Sequence, residues 1–154
     1  MTSEIADAFG VIVEGLVEDP SEYGAVVITG AGRAFSAGGD LEWLRLRCRD
    51  TPSRNSKIMH DFYNKFLCVR KIPLPVVAAI NGPAIGAGLC FAMACDVRVA
   101  AANAKLGFTF VGLGLHPGMG ATHLVASVAG YEVACRMLLS GDIISGTEAK
   151  DLRL

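Results

Sequence analysis

Charge is scarce in this 154-residue chain: Asp, Glu, Lys and Arg make up 19% of it, and the formal net charge is −1. A broad nucleic-acid footprint needs Lys and Arg clustered on one face, so that class of partner is excluded. The one basic run, Arg45, Arg47, Arg49 and later Arg54, is short and reads as a solvated helix end. The five cysteines, Cys48, Cys68, Cys90, Cys95 and Cys135, include no C-x-x-C pair. An odd count without paired spacing argues against a zinc site or a disulfide framework. It favours a reducing, intracellular compartment, cytoplasmic or mitochondrial. Residues 1–20 lack a basic segment followed by an apolar core, and Glu4 and Asp7 speak against a transit peptide. Unbroken apolar helices are missing too. Ile72–Cys95 and Leu106–Tyr131 carry no charge, but Pro73, Pro75 and Pro83 interrupt the first, and Gly112, Gly114, Pro117 and Gly120 the second. A lipid-facing helix of about 20 residues would have to satisfy every broken backbone bond internally, so a membrane span is disfavoured.

What is abundant is apolar residue, 52% of the chain, enough for one domain with a large core over residues 1–154. Ser3 can cap a helix whose apolar positions Ile5, Phe9, Ile12 and Leu16 recur at helical spacing, stopped by Asp19-Pro20. Ala25–Ile28, Val76–Ile80 and Asp96–Val99 read as strands. Helices are expected from near Asp40, over Ile58–Val69 with Ile58, Phe62, Phe66 and Val69 on one face, and over Leu89–Ala94, Ala121–Val128 and Glu132–Leu139. Asp50–Lys57 reads as a mobile loop, and Ser145-Gly146-Thr147-Glu148 has the spacing of a capping box. Strands alternating with helices imply an α/β fold with a parallel sheet buried on both faces and ligands at the carboxyl ends of the strands.

Two glycine-rich turns fall at such ends, one after Ile28 and one after Ile80. Neither is a nucleotide fingerprint. Gly30-Ala31-Gly32 meets Phe35 where a third glycine is needed, Gly86-Ala87-Gly88 meets Phe91, and no G-x-x-x-x-G-K-[ST] occurs. Ser36 lacks the preceding glycine of a nucleophile elbow. Such turns can instead present two backbone N–H groups to one oxygen, helped by glycine's conformational freedom and a helix amino terminus. They can equally be tight turns that allow close packing.

Ala34-Phe35-Ser36-Ala37-Gly38-Gly39-Asp40-Leu41 resembles the A-F-[SC]-A-G-x-D block of the crotonase (enoyl-CoA hydratase/isomerase) superfamily. VVAAINGPAIGAGLCFAMACD, Val76–Asp96, resembles the second block. Leu106-Gly107 with Gly114–Thr122 resembles F-G … G-x-x-P-G-x-G-x-T, and Leu139–Asp142 with Ala149-Lys150 resembles the fourth. The resemblance implies a crotonase-like fold: a ββα-type superhelical core of parallel strands with flanking helices, here without the N-terminal hairpin and C-terminal helices. It also implies an acyl-CoA thioester as substrate, with no separate cofactor and no metal. By position it puts the oxyanion-hole N–H groups on Gly39 and Ala87. Substrate contacts fall on Ala37, Gly38, Asp40, Leu41, Gly86, Cys90, Thr109, Phe110 and Leu113. Assembly into trimers or hexamers is expected of the family when the flanking segments exist.

The hydratases use two glutamates, and this chain has Cys90 and Phe110 at those positions. Losing one general acid–base group costs on the order of 10²–10⁴ in rate, so little hydratase activity is expected. The resemblance therefore leaves two readings, an enzyme needing only the oxyanion hole and a non-catalytic binder or subunit. His116 and His123 are the ionisable residues near the third block. His116 reads as a hydrogen-bonded loop residue, and His123 and His60 as helix-surface residues. Cys90 reads as core packing and Asp40 as a helix cap.

Overall fold

The computed structural model describes residues 1–47 and 49–154; Cys48 lies outside the described residues. Helix α1 spans Ser3–Glu18, and Thr2, not Ser3, caps it by accepting from Ile5 N–H. The buried stripe keeps Phe9 and Leu16 of the expected one but replaces Ile5 and Ile12 by their neighbours Ala6 and Val13. Ala6 and Val13 are buried and Phe9 and Leu16 pack beside them, whereas Ile5 and Ile12 face outward. Spacing alone cannot choose between two adjacent apolar stripes on a helix that is apolar most of the way round. Phe9 meets Phe66 and Phe91, which ties α1 to the centre of the molecule.

Strand β1 is Val26–Thr29 and helix α2 is Leu41–Arg47. Helix α3, Pro52–Leu67, absorbs most of the segment expected to be a mobile loop. Thr51 caps it and Pro52 occupies its first turn, the one place in a helix where a missing N–H does no harm. Phe62, Phe66 and Val69 are buried as the spacing predicts, and Ile58 is half-buried. Arg47, expected to be solvated, is instead paired with Asp50 at 2.8 Å, with its guanidinium 5.5 Å from the Trp43 ring centroid.

Strand β2, Val76–Ile80, matches the expected bounds; β3 is Ala84–Ile85, helix α4 Ala87–Met93 and strand β4 Val97–Ala100. Strands β1, β2 and β4 form a parallel sheet in that order, with Val26 opposite Val76 and Val77 opposite Val97. Its inner face, Val76, Ala78 and Ile80, is buried in the core. The outer face contradicts the expectation of burial on both sides: Val27, Val97 and Val99 are 65%, 49% and 61% exposed. The described helices cover one face of this sheet only.

Strands β5, Lys105–Gly107, and β6, Ile143–Ser145, join β3 in a second sheet of order β3-β5-β6. Pairing is parallel between β3 and β5 but antiparallel between β5 and β6. Strands of two or three residues carry no readable period, which is why this sheet was not expected. Helices α5, Ala121–Ala129, and α6, Tyr131–Ser140, lie within a residue or so of their predicted limits. Helix α7, Gly146–Asp151, begins with the expected capping box between Ser145 and Glu148. No described helix is long and apolar enough to cross a membrane.

Candidate active site

The two glycine-rich turns come together because the chain after β1 runs alongside the chain after β2. Phe35 and Ser36 donate N–H to Pro83 O, and Ile85 N–H donates to Ser36 O at 2.9 Å. Contacts this close leave no room for side chains. A β-carbon on Gly82 would lie 2.1 Å from Arg33 O, and one on Gly88 would lie 2.6 Å from Ser36. Asn81 holds the earlier part of the loop. Its Oδ1 accepts from Gly30 N–H at 3.1 Å, and its Nδ2 donates to the carbonyls of Gly30 and Gly32.

At the end of this paired run stand Gly38, Gly39 and Ala87. Gly38 has φ +91°, and a β-carbon there would lie 2.7 Å from Ile85 O and 3.6 Å from Ala87 N. Gly86, at φ 55°, turns the chain into α4. The N–H groups of Gly39 and Ala87 have no acceptor among the described residues. Ala87 is buried and Gly39 half-buried, and unpaired buried donors are uncommon in folded proteins, so the two adjacent amides can serve an acceptor that enters the cleft. Asp40 is the cap of α2, its Oδ1 accepting from Trp43 N–H at 2.7 Å.

Both turns open onto a cleft of about 1030 Å³. Of the residues expected at the site, Ala37, Gly38, Gly39, Asp40, Leu41, Gly86, Ala87, Thr109, Phe110 and Leu113 all line it. Cys90 does not. It is wholly buried, its Sγ 3.8 Å from Gly118 O. Burial pushes its thiol up to about 12, and such a group is neither base nor nucleophile near neutrality. His116 sits exposed on the cleft wall without a hydrogen bond among the described residues, in contrast to the loop-staple role expected of it. His123 and His60 are surface residues of α5 and α3.

The wall opposite the turns was not anticipated. It consists of Trp43 and Arg47 from α2 and Asn55, Met59, Phe62 and Tyr63 from α3. One signal was available: Met59 and Tyr63 repeat, one position on, the spacing of the Ile58–Phe62 core stripe and so form a second stripe beside it. The cleft is therefore mainly apolar, with two free backbone donors; the carboxylates among its lining residues are Asp40, which is engaged as a cap, and Glu42.

The sequence matches the family model for enoyl-CoA hydratase/isomerase over residues 1–154. It is 35% identical over 151 residues to the crotonyl-CoA hydratase of Syntrophomonas wolfei, covering 95% of this chain and 54% of that one. To the short-chain-enoyl-CoA hydratase of Clostridium acetobutylicum it is 36% identical over 138 residues, covering 89% and 52%. The chain thus spans about half the length of the curated relatives it matches. Its fold resembles the crystal structure of an enoyl-CoA hydratase from Bacillus anthracis, with TM-score 0.88, 32% identity and coverage of 99% of this chain and 58% of that one. An enoyl-CoA hydratase/carnithine racemase from Magnetospirillum magneticum gives TM-score 0.90 at 30% identity over 99% and 57% of the two chains. With a family-wide match along its whole length and the same backbone architecture, this chain belongs to the enoyl-CoA hydratase/isomerase family and has the crotonase fold.

Proposed function

We propose that the cleft binds an acyl-CoA thioester and that the N–H groups of Gly39 and Ala87 hydrogen-bond its carbonyl oxygen, stabilising the enolate form. The observation that carries this reading is the pair of unengaged amides on two turns locked together at Gly38. Donors aimed at a developing oxyanion are worth roughly 3–4 kcal/mol each. The relatives are named as hydratases of crotonyl-CoA and short-chain enoyl-CoA, which supports the substrate class.

Hydration itself is not part of the proposal. Water addition needs groups that hold water and move protons, and the two positions that correspond to the hydratase glutamates hold a fully buried thiol, Cys90, and Phe110. This absence favours a second reading, a binder or subunit that keeps the thioester groove without turnover. Homo-oligomerisation belongs to the proposal as well, supported by the apolar outer face at Val27, Val97 and Val99. A reducing compartment is supported by the free thiols of Cys68, Cys90, Cys95 and Cys135.

Calorimetry with acetyl-CoA beside ATP and NAD tests the binding step: acetyl-CoA is expected to bind and the nucleotides to be ignored. A crotonyl-CoA assay then separates the two readings. Hydration at an ordinary hydratase rate would show the argument from missing carboxylates to be wrong.

A further inference from the structure

We infer that His116 is the base of this cleft: its imidazole takes a proton from the carbon next to the thioester carbonyl, so the protein exchanges the α-protons of a bound acyl-CoA with water. The inference rests on the acyl-CoA reading above and names the residue that moves the proton.

A chain of contacts brings the His116 segment to the wall that adjoins Ala87. Ile85 lies opposite Gly107 in the pairing of β3 with β5, and Gly86 N–H donates to Gly107 O at 2.8 Å. Thr109 stays beside that turn, since a β-carbon on Gly86 would lie 4.0 Å from its Oγ1. The chain then makes a short turn over Val111–Leu113 and reverses at Gly114, where φ is 68°. It comes back so that Leu115 N–H donates to Phe110 O at 3.0 Å, and His116 is the next residue. Thr109, Phe110, Leu115 and His116 line the same cleft as Gly39 and Ala87. Pro117 biases the His116 backbone toward extended conformations, which narrows where the imidazole can go.

Most other titratable side chains on the cleft wall are engaged. Asp40 caps α2, and Arg47 is a cation paired with Asp50. Burial pushes the Tyr63 phenol up to about 12, so it keeps its proton at neutral pH. Glu42 and His116 remain. Of the two residue types, imidazole is the one that changes charge near neutrality, which suits it to take up and return a proton. His116 is exposed and has no hydrogen-bond partner among the described residues, so its ring is free for substrate and open to water. The step balances without another reagent. A ring-nitrogen lone pair takes the α-proton, the C–H electron pair becomes the enolate double bond, and the carbonyl π pair moves onto the oxygen facing the Gly39 and Ala87 N–H groups. The imidazolium trades its proton with water and returns one to the same carbon.

The test is proton NMR of acetyl-CoA in deuterated buffer on the parent, His116→Ala, Glu42→Gln and His123→Ala, with calorimetry of acetyl-CoA binding on each. The parent is expected to deplete the acetyl methyl signal faster than buffer does. His116→Ala is expected to bind acetyl-CoA as before but to exchange it about a hundredfold more slowly, with added imidazole restoring part of the rate. A merely structural histidine would show no such rescue. His116 is exposed, so its removal should leave the fold intact, which circular dichroism checks. His123→Ala, on the surface of α5, is expected to keep the parent rate. Exchange that persists in His116→Ala but is lost in Glu42→Gln moves the base to Glu42. That result, a loss in His116→Ala that imidazole does not repair, or a parent that binds acetyl-CoA without exchanging it overturns the inference while leaving thioester binding intact. Failure of the parent to bind acetyl-CoA removes the acyl-CoA reading itself.

Discussion

Replacing Gly38 by alanine attacks the joint between the two turns, and the structure sets the size of the effect. At φ +91° an L side chain is strained wherever it points, and here its β-carbon would lie 2.7 Å from Ile85 O, a contact that side chains do not make. Backbone strain of this kind costs about 1–3 kcal/mol. Pushing Ile85 away to relieve the overlap adds about 1–3 kcal/mol more. Taken together, a loss of roughly 2–6 kcal/mol is expected, or roughly 4–24 °C in melting temperature at this chain length. Movement of Ile85 also drags Ala87, so acetyl-CoA affinity should fall with stability. Gly39→Ala is the control. Its β-carbon would sit 3.6 Å from Leu44 Cδ1, an ordinary contact, and its φ is not in the left-handed region. A change within about 0.5 kcal/mol is expected there. Thermal unfolding followed by circular dichroism, with calorimetry on the same samples, measures both. Equal melting temperatures for Gly38→Ala and the parent, or an equal fall for Gly39→Ala, would refute the account of how the turns are joined.

Other expectations concern the supports of the site. Asp40→Ala removes the cap of α2 and should cost about 1 kcal/mol in chemical denaturation, with no effect if the Trp43 N–H finds water instead. Asn81→Ala removes three hydrogen bonds to Gly30 and Gly32, and a loss of about 1–3 kcal/mol is expected. Alkylation near pH 8 should modify Cys68 and Cys135, which are partly exposed, and spare Cys90 until the protein unfolds. Labelling of Cys90 in the folded state would contradict its burial. The same thiol predicts a pH dependence. Its folded value of about 12 lies above the ordinary 9.0, so the folded state keeps a proton that the unfolded chain gives up. Stability should decline as pH rises through that window, and Cys90→Ala should flatten the decline in urea titrations across it.

The elements that were legible in the sequence are those whose evidence is local. Val76–Ile80 is an unbroken run of apolar residues after Pro75, and its bounds are those observed. Ser145 and Glu148 carry their capping box within four residues. Asp40 caps α2 through a hydrogen bond three residues away. Local signals failed where two patterns competed. Helix α1 offered two apolar stripes, and packing against Phe66 and Phe91 chose the one through Ala6, Phe9, Val13 and Leu16. The polar stretch before Ile58 looked like a loop, yet Thr51 and Pro52 start a helix there.

By itself, the sequence determined the family and the two glycine turns, since each is a matter of residue type at a given position. Only the tertiary structure decided that Cys90 is wholly buried while Phe110 lines the cleft, that α3 supplies the opposite wall, and that one face of the β1-β2-β4 sheet is open. The reason is that burial and proximity arise between segments distant along the chain. Nothing in residues 58–69 alone shows that Tyr63 will meet Gly118, because that contact exists only once β2 and α4 have fixed where each segment lies.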